Sequence, residues 1–170
     1  MREKYWAHYS EKKYESFYYK YYAIRAQRFD YIVTGAALLA SIGSIATWGI
    51  WQQLPLLWGI LIAAAQVSQA LRPIYPFSKQ LIALKYVRPR FDKLLIEMEY
   101  EWDMLLIRNT TDEKIAELLA GFEQNFAEVE SSFIGDIYFA DSKQCINRAK
   151  DQQQKFFYTR FGIKEELQNV

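Results

Sequence analysis

The sequence predicts an all-α membrane protein in which a two-helix transmembrane hairpin continues into a cytoplasmic helical bundle. The first observation is the distribution of charge. The chain has 170 residues, with 21 Lys and Arg and 20 Asp and Glu, yet none of these and no His lies between Tyr31 and Leu71. The second is that apolar residues outside this block recur at helical spacings of three and four. These patterns divide the chain into an N-terminal cytoplasmic or interfacial helix (1–30), the hairpin (31–71) and the bundle (72–170).

The N-terminal helix is predicted to run without a break into the first crossing. Neither Gly nor Pro occurs from Arg2 to Thr34, so no stop signal separates the two parts, and we expect one helix over roughly Lys4–Trp51. Its cytoplasmic part carries many aromatic residues, including Tyr14 and Tyr21 at helical spacing. This stripe is expected either to pack against the downstream helices or to contact the membrane interface or another subunit.

Two uncharged segments have the length of a membrane crossing. Residues 31–51 and 54–71 are 21 and 18 residues long, and a bilayer crossing needs about 20 helical residues. Gln52, Gln53 and Pro55 form the predicted turn between them. A buried hairpin of a soluble protein is the alternative. The residues expected at the membrane interface are Tyr31, Trp48, Trp51, Trp58 and Arg72.

Basic residues set the predicted orientation. Residues 1–30 contain seven Lys and Arg, residues 72–93 contain six, and the turn at 52–53 contains none. Because basic flanks stay on the cytoplasmic side, both termini are expected in the cytoplasm, with the hairpin in the membrane as a multi-pass protein in contact with lipid.

Polar and small residues inside the hairpin are the predicted site. Amide side chains in hydrocarbon need partners, so the polar set is expected to line a pore in an assembled ring or to staple the hairpin: Ser41, Ser44, Gln66 and Gln69. Small residues permit close helix packing, and these are Gly35, Ala36, Ala40 and Gly43. One hairpin cannot enclose a pore, so both interpretations favour a homo-oligomer.

Three further helices are predicted for the bundle. The first covers about 78–107 and should kink at Pro89. The second begins at a capping box formed by Thr110 and Glu113 and ends near residue 132. The third begins after Asp141 or Ser142 and ends before a glycine at 162. A short strand over 137–139 is the one possible exception to the all-helical pattern.

Composition excludes several functional classes. Cys145 and His8 are each the only residue of their type, which argues against a disulfide framework, a histidine-ligated metal site and a Cys–His nucleophile pair. A helix scatters the acidic residues of 97–103 over different sides, so they do not converge on a substrate. We therefore expect no enzyme activity and no cofactor. A net charge of +1 argues against nucleic-acid binding.

The plan of the chain resembles the SLATT family. The resemblance covers about residues 5–162 and lies in the aromatic and basic N-terminal helix, the two close crossings, the proline-containing link, the helix with Leu94, Met98 and Trp102-Asp103, and the terminal run Ala149-Lys150 to Phe156–Gly162. These are loose helical motifs, and the family has no catalytic residues to carry over. The resemblance implies a two-transmembrane effector of bacterial conflict systems that is released by a sensor protein or a nucleotide second messenger.

Two functions follow as hypotheses. The first is an oligomeric effector that forms a pore or disrupts the inner membrane in an antiphage, abortive-infection system once a signal triggers it. The second is a membrane-anchored binding or scaffold module, in which the hairpin serves as a tether and the helical bundle recruits a cytoplasmic partner.

Overall fold

A computed structural model describes residues 1–46, 55–71, 77–108, 110–135 and 137–162. These residues form five helices and no strand, so the predicted all-α class is confirmed and the short strand at 137–139 is wrong. The helices are α1 (Arg2–Ala46), α2 (Pro55–Leu71), α3 (Phe77–Arg108), α4 (Asp112–Phe133) and α5 (Lys143–Phe161).

The chain divides into two compact units. The first unit consists of Met1–Ala23 and Ile82–Val170, and the second consists of Ile24–Leu81. The long N-terminal helix therefore contributes residues to both units. Its predicted continuity is confirmed as far as Ala46, and the rest of the predicted range lies outside the described residues.

The first unit packs the N-terminal part of α1 with α3, α4 and α5 around an aromatic core. Tyr5 and Tyr9 are buried, and their hydroxyls donate hydrogen bonds to the Met98 carbonyl oxygen and to Glu99 Oε2, each at 3.0 Å. A buried phenol needs such a partner because an unpaired hydroxyl costs free energy in an apolar core. At these two positions the aromatic stripe packs against the downstream helices.

The ends of α5 and the start of α4 can be compared with the ends predicted from local sequence signals. Ser142 caps α5, because its Oγ accepts a hydrogen bond from the Cys145 N–H at 3.4 Å, and Gly162 ends the helix in the left-handed conformation with φ 69°. The capping box at Thr110 is wrong. The N-cap of α4 is Thr111, and its side chain makes no cap hydrogen bond, so the helix begins one residue later than predicted.

The second unit contains the uncharged block, and here the membrane prediction is corrected. None of the helices in the described residues is both long enough and apolar enough to cross a membrane. α2 has 17 residues, which extend about 26 Å at 1.5 Å per residue against a hydrocarbon core of about 30 Å. In α1 the uncharged part that the structure describes covers only 31–46. This finding contradicts the predicted multi-pass inner-membrane location, and it gives no support to the predicted transmembrane hairpin, part of which lies outside the described residues.

Candidate binding groove

An open groove of about 710 Å³ lies on the surface of the first unit. Three helices of the bundle form it, with α1 supplying most of the lining, α5 one side and α3 a single tryptophan. The lining residues are Arg2, Glu3, Trp6, Ala7, Ser10, Glu11, Tyr14, Trp102, Lys150 and Gln153.

The spacing of the α1 residues explains why they share one groove. Glu3, Ala7, Ser10 and Tyr14 follow one another at intervals of four, three and four, which places them along one side of a helix. The two middle positions, Ala7 and Ser10, carry small side chains.

A tryptophan pair forms the most rigid part of the lining. The rings of Trp6 and Trp102 lie 5.2 Å apart, and Trp6 also contacts the rings of Phe157 at 5.4 Å and Phe161 at 5.0 Å. Tyr5 stacks on Trp102 at 5.8 Å. Because both indoles are held from several sides, a ligand that packs on them would lose little side-chain entropy of the protein.

Hydrogen bonds hold the two long walls of the groove together. The Gln153 amide donates to the Ser10 carbonyl oxygen at 2.8 Å and to Ser10 Oγ at 3.0 Å. The ammonium of Lys13 lies 4.0 Å from the centre of the Phe156 ring, and burial lowers the pKa of this ammonium. These contacts join α1 to α5, so the shape of the groove is fixed by the fold.

The charges of the lining have both signs. Arg2 and Lys150 are basic, whereas Glu3 and Glu11 are acidic. Among the lining residues there is no pair of a nucleophile and a base, and no cluster of metal-ligating side chains occurs in the part of the chain that the structure describes. The arrangement can bind a ligand by apolar contact and ion pairing.

The acidic residues of α3 have structural partners. Glu99 accepts hydrogen bonds from Tyr9 and from Arg160 Nε, the latter at 2.6 Å. Glu97 pairs with Lys93 at 3.7 Å. Cys145 is buried. The predicted absence of enzyme activity stays a prediction.

A half-buried histidine, His8, lies on α1 near α4. Nε2 of His8 is buried and has no hydrogen-bond partner among the described residues, and its ring contacts the Phe126 ring at 6.0 Å. Burial lowers the pKa of His8. The charged groups that act on His8 are Glu11, Lys12, Glu123 and Glu130.

We expect His8 to make the protein less stable in acid. Because its pKa is lower in the folded chain than in the unfolded chain, the unfolded state binds the proton more tightly, and the free energy of unfolding falls as the pH drops below about 6.5. Urea unfolding at pH 7.5 and pH 5 should show a larger loss for the wild type than for His8→Gln. An equal loss in both proteins would show that His8 does not titrate in this way.

The residues predicted as a membrane site occupy the second unit. Tyr31 is 66% exposed, and its hydroxyl accepts a hydrogen bond from the Gln27 amide at 2.9 Å. Gln66 is exposed, while Gly35 and Ala36 are half-buried. A Cβ added at Gly35 would meet no heavy atom within 4 Å.

The other predicted site residues fall wholly or partly outside the description. Trp48, Trp51 and Arg72 lie outside the described residues. The remaining ones lie within α1 or α2, but their side chains are outside the description: Ala40, Ser41, Gly43, Ser44, Trp58 and Gln69. Their pore-lining, stapling and packing roles stay predictions.

Sequence reasoning did not identify the groove. In the sequence Trp6 is one of many aromatic residues of the N-terminal helix and Trp102 belongs to the run with Leu94 and Met98, and neither pattern indicates a groove. The signal that could have revealed the groove is the pair of small residues Ala7 and Ser10, which stand between large aromatic residues on one side of α1.

Comparisons of the chain with protein-family models, with curated proteins and with solved structures give no match. The SLATT resemblance therefore stays a prediction, and the functional conclusion depends on the geometry of the groove.

Proposed function

We propose that this protein is a helical binding module that recruits a protein partner through the groove of its first unit. The occupant is an amphipathic helical segment of that partner. The observation that supports the proposal is the open groove of about 710 Å³ with the tryptophan pair at its wall and small residues at its floor.

The dimensions of the groove fit a short helix. Its α1 lining extends from Arg2 to Tyr14, which is about 18 Å along the helix axis at 1.5 Å per residue. A helix of about three turns covers this length and presents apolar anchors at intervals of three and four residues. Ala7 and Ser10 allow its backbone to approach closely, and Trp6 and Trp102 provide the aromatic contact area typical of binding hot spots.

The charges favour a peptide over a nucleotide. A phosphate is bound most strongly by basic side chains and is repelled by carboxylates, and Glu3 and Glu11 accompany Arg2 and Lys150 in the lining. A helix that carries charges of both signs beside its apolar stripe can pair with all four groups. The SLATT resemblance implies a sensor protein or a nucleotide second messenger as the partner. The mixed charges of the groove agree with the sensor protein.

A role as a triggered effector stays a prediction. An effector that forms a pore needs helices that cross a bilayer, and the described residues contain no such helix. The scaffold function does not depend on a crossing, because the groove belongs to the first unit.

Site-specific photocrosslinking in the native cell tests this function. A benzophenone amino acid at Ala7 should give a protein adduct of defined mass, because this position lies on the floor of the groove. Gly121 is the matched control, since it is a small exposed position on α4 outside the groove.

The proposal fails if Ala7 gives no protein adduct or gives the same adducts as Gly121. A second variant strengthens the test. Tryptophan at Ser10 should fill the groove and reduce the yield of the adduct at least tenfold, while tryptophan at Gly121 should leave the yield unchanged. Circular dichroism of each variant checks that the helices are retained.

A further inference from the structure

A second apolar stripe lies on the outer side of α3. The side of this helix that faces the core includes Val87, Phe91 and Met98, all with 0% exposure. On the opposite side five large apolar residues are exposed by 49–77%: Ile82, Tyr86, Ile96, Tyr100 and Ile107. α3 is therefore apolar on two sides. The bundle covers one of them and contacts the other at Tyr86, whose ring stacks on Phe133 of α4 at 5.9 Å.

The outer stripe has the periodicity of a coiled-coil seam. Starting at Ile82, exposed residues follow at alternating intervals of four and three up to Ile107, and the complete series is Ile82, Tyr86, Pro89, Lys93, Ile96, Tyr100, Asp103 and Ile107. This alternation keeps one line of side chains facing a neighbouring helix over the whole length. Pro89 lies on the exposed side of the helix, where it can be accommodated because solvent can satisfy the carbonyl group that its missing N–H leaves unpaired.

The charges next to the seam are separated along the helix. Between Ile82 and Lys93 there are four basic residues and one acidic residue: Lys85, Arg88, Arg90, Asp92 and Lys93. Between Ile96 and Ile107 all the charged residues are acidic, namely Glu97, Glu99, Glu101 and Asp103, of which Glu99 is bound to Tyr9 and Arg160 within the bundle. Two copies of this helix side by side would place like charges together if parallel and opposite charges together if antiparallel.

We infer that a second copy of this chain packs against the outer side of α3, with the two α3 helices antiparallel. A two-fold axis makes such an interface self-complementary, because each basic half meets the acidic half of the other copy. The five large apolar residues of the seam and Pro89 supply the apolar contact, and the charge separation selects the direction.

The full overlap of the two stripes fixes one register. In this register Ile82 packs against Ile107 of the second copy and Pro89 packs against Tyr100 of the second copy. Beside the seam, Arg90 comes close to Glu97 of the second copy, and the two-fold axis repeats every pair.

This interface is independent of the proposed partner groove. The groove residue contributed by α3 is Trp102, which is half-buried and packs on Tyr5 and Trp6. No residue of the seam lines the groove, so a dimer leaves the groove open and the two proposals can fail separately.

Cysteine crosslinking of the full chain tests the direction and the register. In a Cys145→Ala background, protein with Ile82→Cys is mixed with tagged protein carrying Ile107→Cys and treated with a short bis-maleimide. The mixed dimer should exceed either homodimer at least fivefold. Ser131→Cys, an exposed position on α4, should give no enrichment when it is mixed with either protein.

Sedimentation equilibrium measures the strength of the association. Ile96→Arg should raise the dimer dissociation constant at least tenfold. In the proposed register residue 96 of each copy lies beside Lys93 of the other, so the variant brings two guanidinium and two ammonium groups together at the middle of the seam. Tyr158→Arg, an exposed aromatic position on α5, is the matched control and should leave the constant unchanged. A charge exchange supplies a second readout, since Arg90→Glu should weaken the dimer and the further change Glu97→Arg should restore it.

The inference is overturned if the wild type is monomeric at all concentrations, or if the Ile82→Cys protein crosslinks with itself as readily as with the Ile107→Cys protein. It is also overturned if Ile96→Arg and Tyr158→Arg have equal effects in variants that keep their helical circular dichroism.

Discussion

Phe91→Ala is expected to lower the free energy of unfolding by about 3–5 kcal/mol, the range for removing a large buried aromatic side chain. Phe91 has 0% exposure, and its ring contacts the Phe126 ring at 4.9 Å and the Tyr19 ring at 5.5 Å. These rings belong to α3, α4 and α1, so the cavity would loosen three helices together. Urea unfolding monitored by circular dichroism measures the loss.

Tyr158→Ala is the matched control for this variant. Tyr158 is an aromatic residue in a helix but is 56% exposed, and its truncation should change the free energy of unfolding by less than about 0.5 kcal/mol. Similar losses for Phe91→Ala and Tyr158→Ala would contradict the placement of Phe91 at the centre of the core.

Lys12→Met is expected to lower the free energy of unfolding by about 2–4 kcal/mol, because it leaves two partly buried carboxylates without their cation. The Lys12 ammonium lies 2.8 Å from Glu15 Oε2 and 2.9 Å from Glu130 Oε1, and its side chain is 13% exposed. Burial alone would lower the pKa of Lys12, but the hydrogen bonds to the two carboxylates outweigh it and raise the pKa. The same urea experiment measures the loss.

Lys114→Met tests whether burial is the cause. Lys114 pairs with Glu117 at 2.9 Å over the same interval of three residues, but the two side chains are 58% and 72% exposed. An exposed pair of this kind contributes about 0.2–1 kcal/mol at most, so the loss should be small. If Lys114→Met costs as much as Lys12→Met, burial is not the cause of the loss at Lys12.

The helical class was predictable because its signals are local. The absence of Gly and Pro over the first part of the chain agrees with the continuous α1, and Ser142 and Gly162 mark the two ends of α5. The start of α4 was predicted one residue early, because Thr110 and Glu113 match the capping-box pattern, although the helix begins after Thr111, which has Lys114 three residues later.

The groove and the outer stripe of α3 were harder to predict because both depend on which surfaces remain uncovered. The apolar residues of α3 lie on two sides, and the sequence does not show that Phe91 faces the core while Ile96 is exposed. In the same way, Ala7 and Ser10 become the floor of a groove only because α5 packs beside α1.

For the uncharged block, a strong compositional signal led to the prediction of a membrane location, which the structure contradicts. The lack of charge between Tyr31 and Leu71 is a property of the sequence. Whether such a block crosses a membrane depends on the length and the apolarity of its helices, and no helix in the described residues is long and apolar enough.

The amino-acid sequence by itself determined that this chain is helical, where its charges lie and where α5 is capped, because these properties depend on neighbours within a few residues. Only the tertiary structure decided which side of each helix is covered, that Lys12 is held between Glu15 and Glu130, and that Trp6 meets Trp102. The physical reason is that these contacts join residues up to 118 positions apart, and their formation depends on the packing of whole helices.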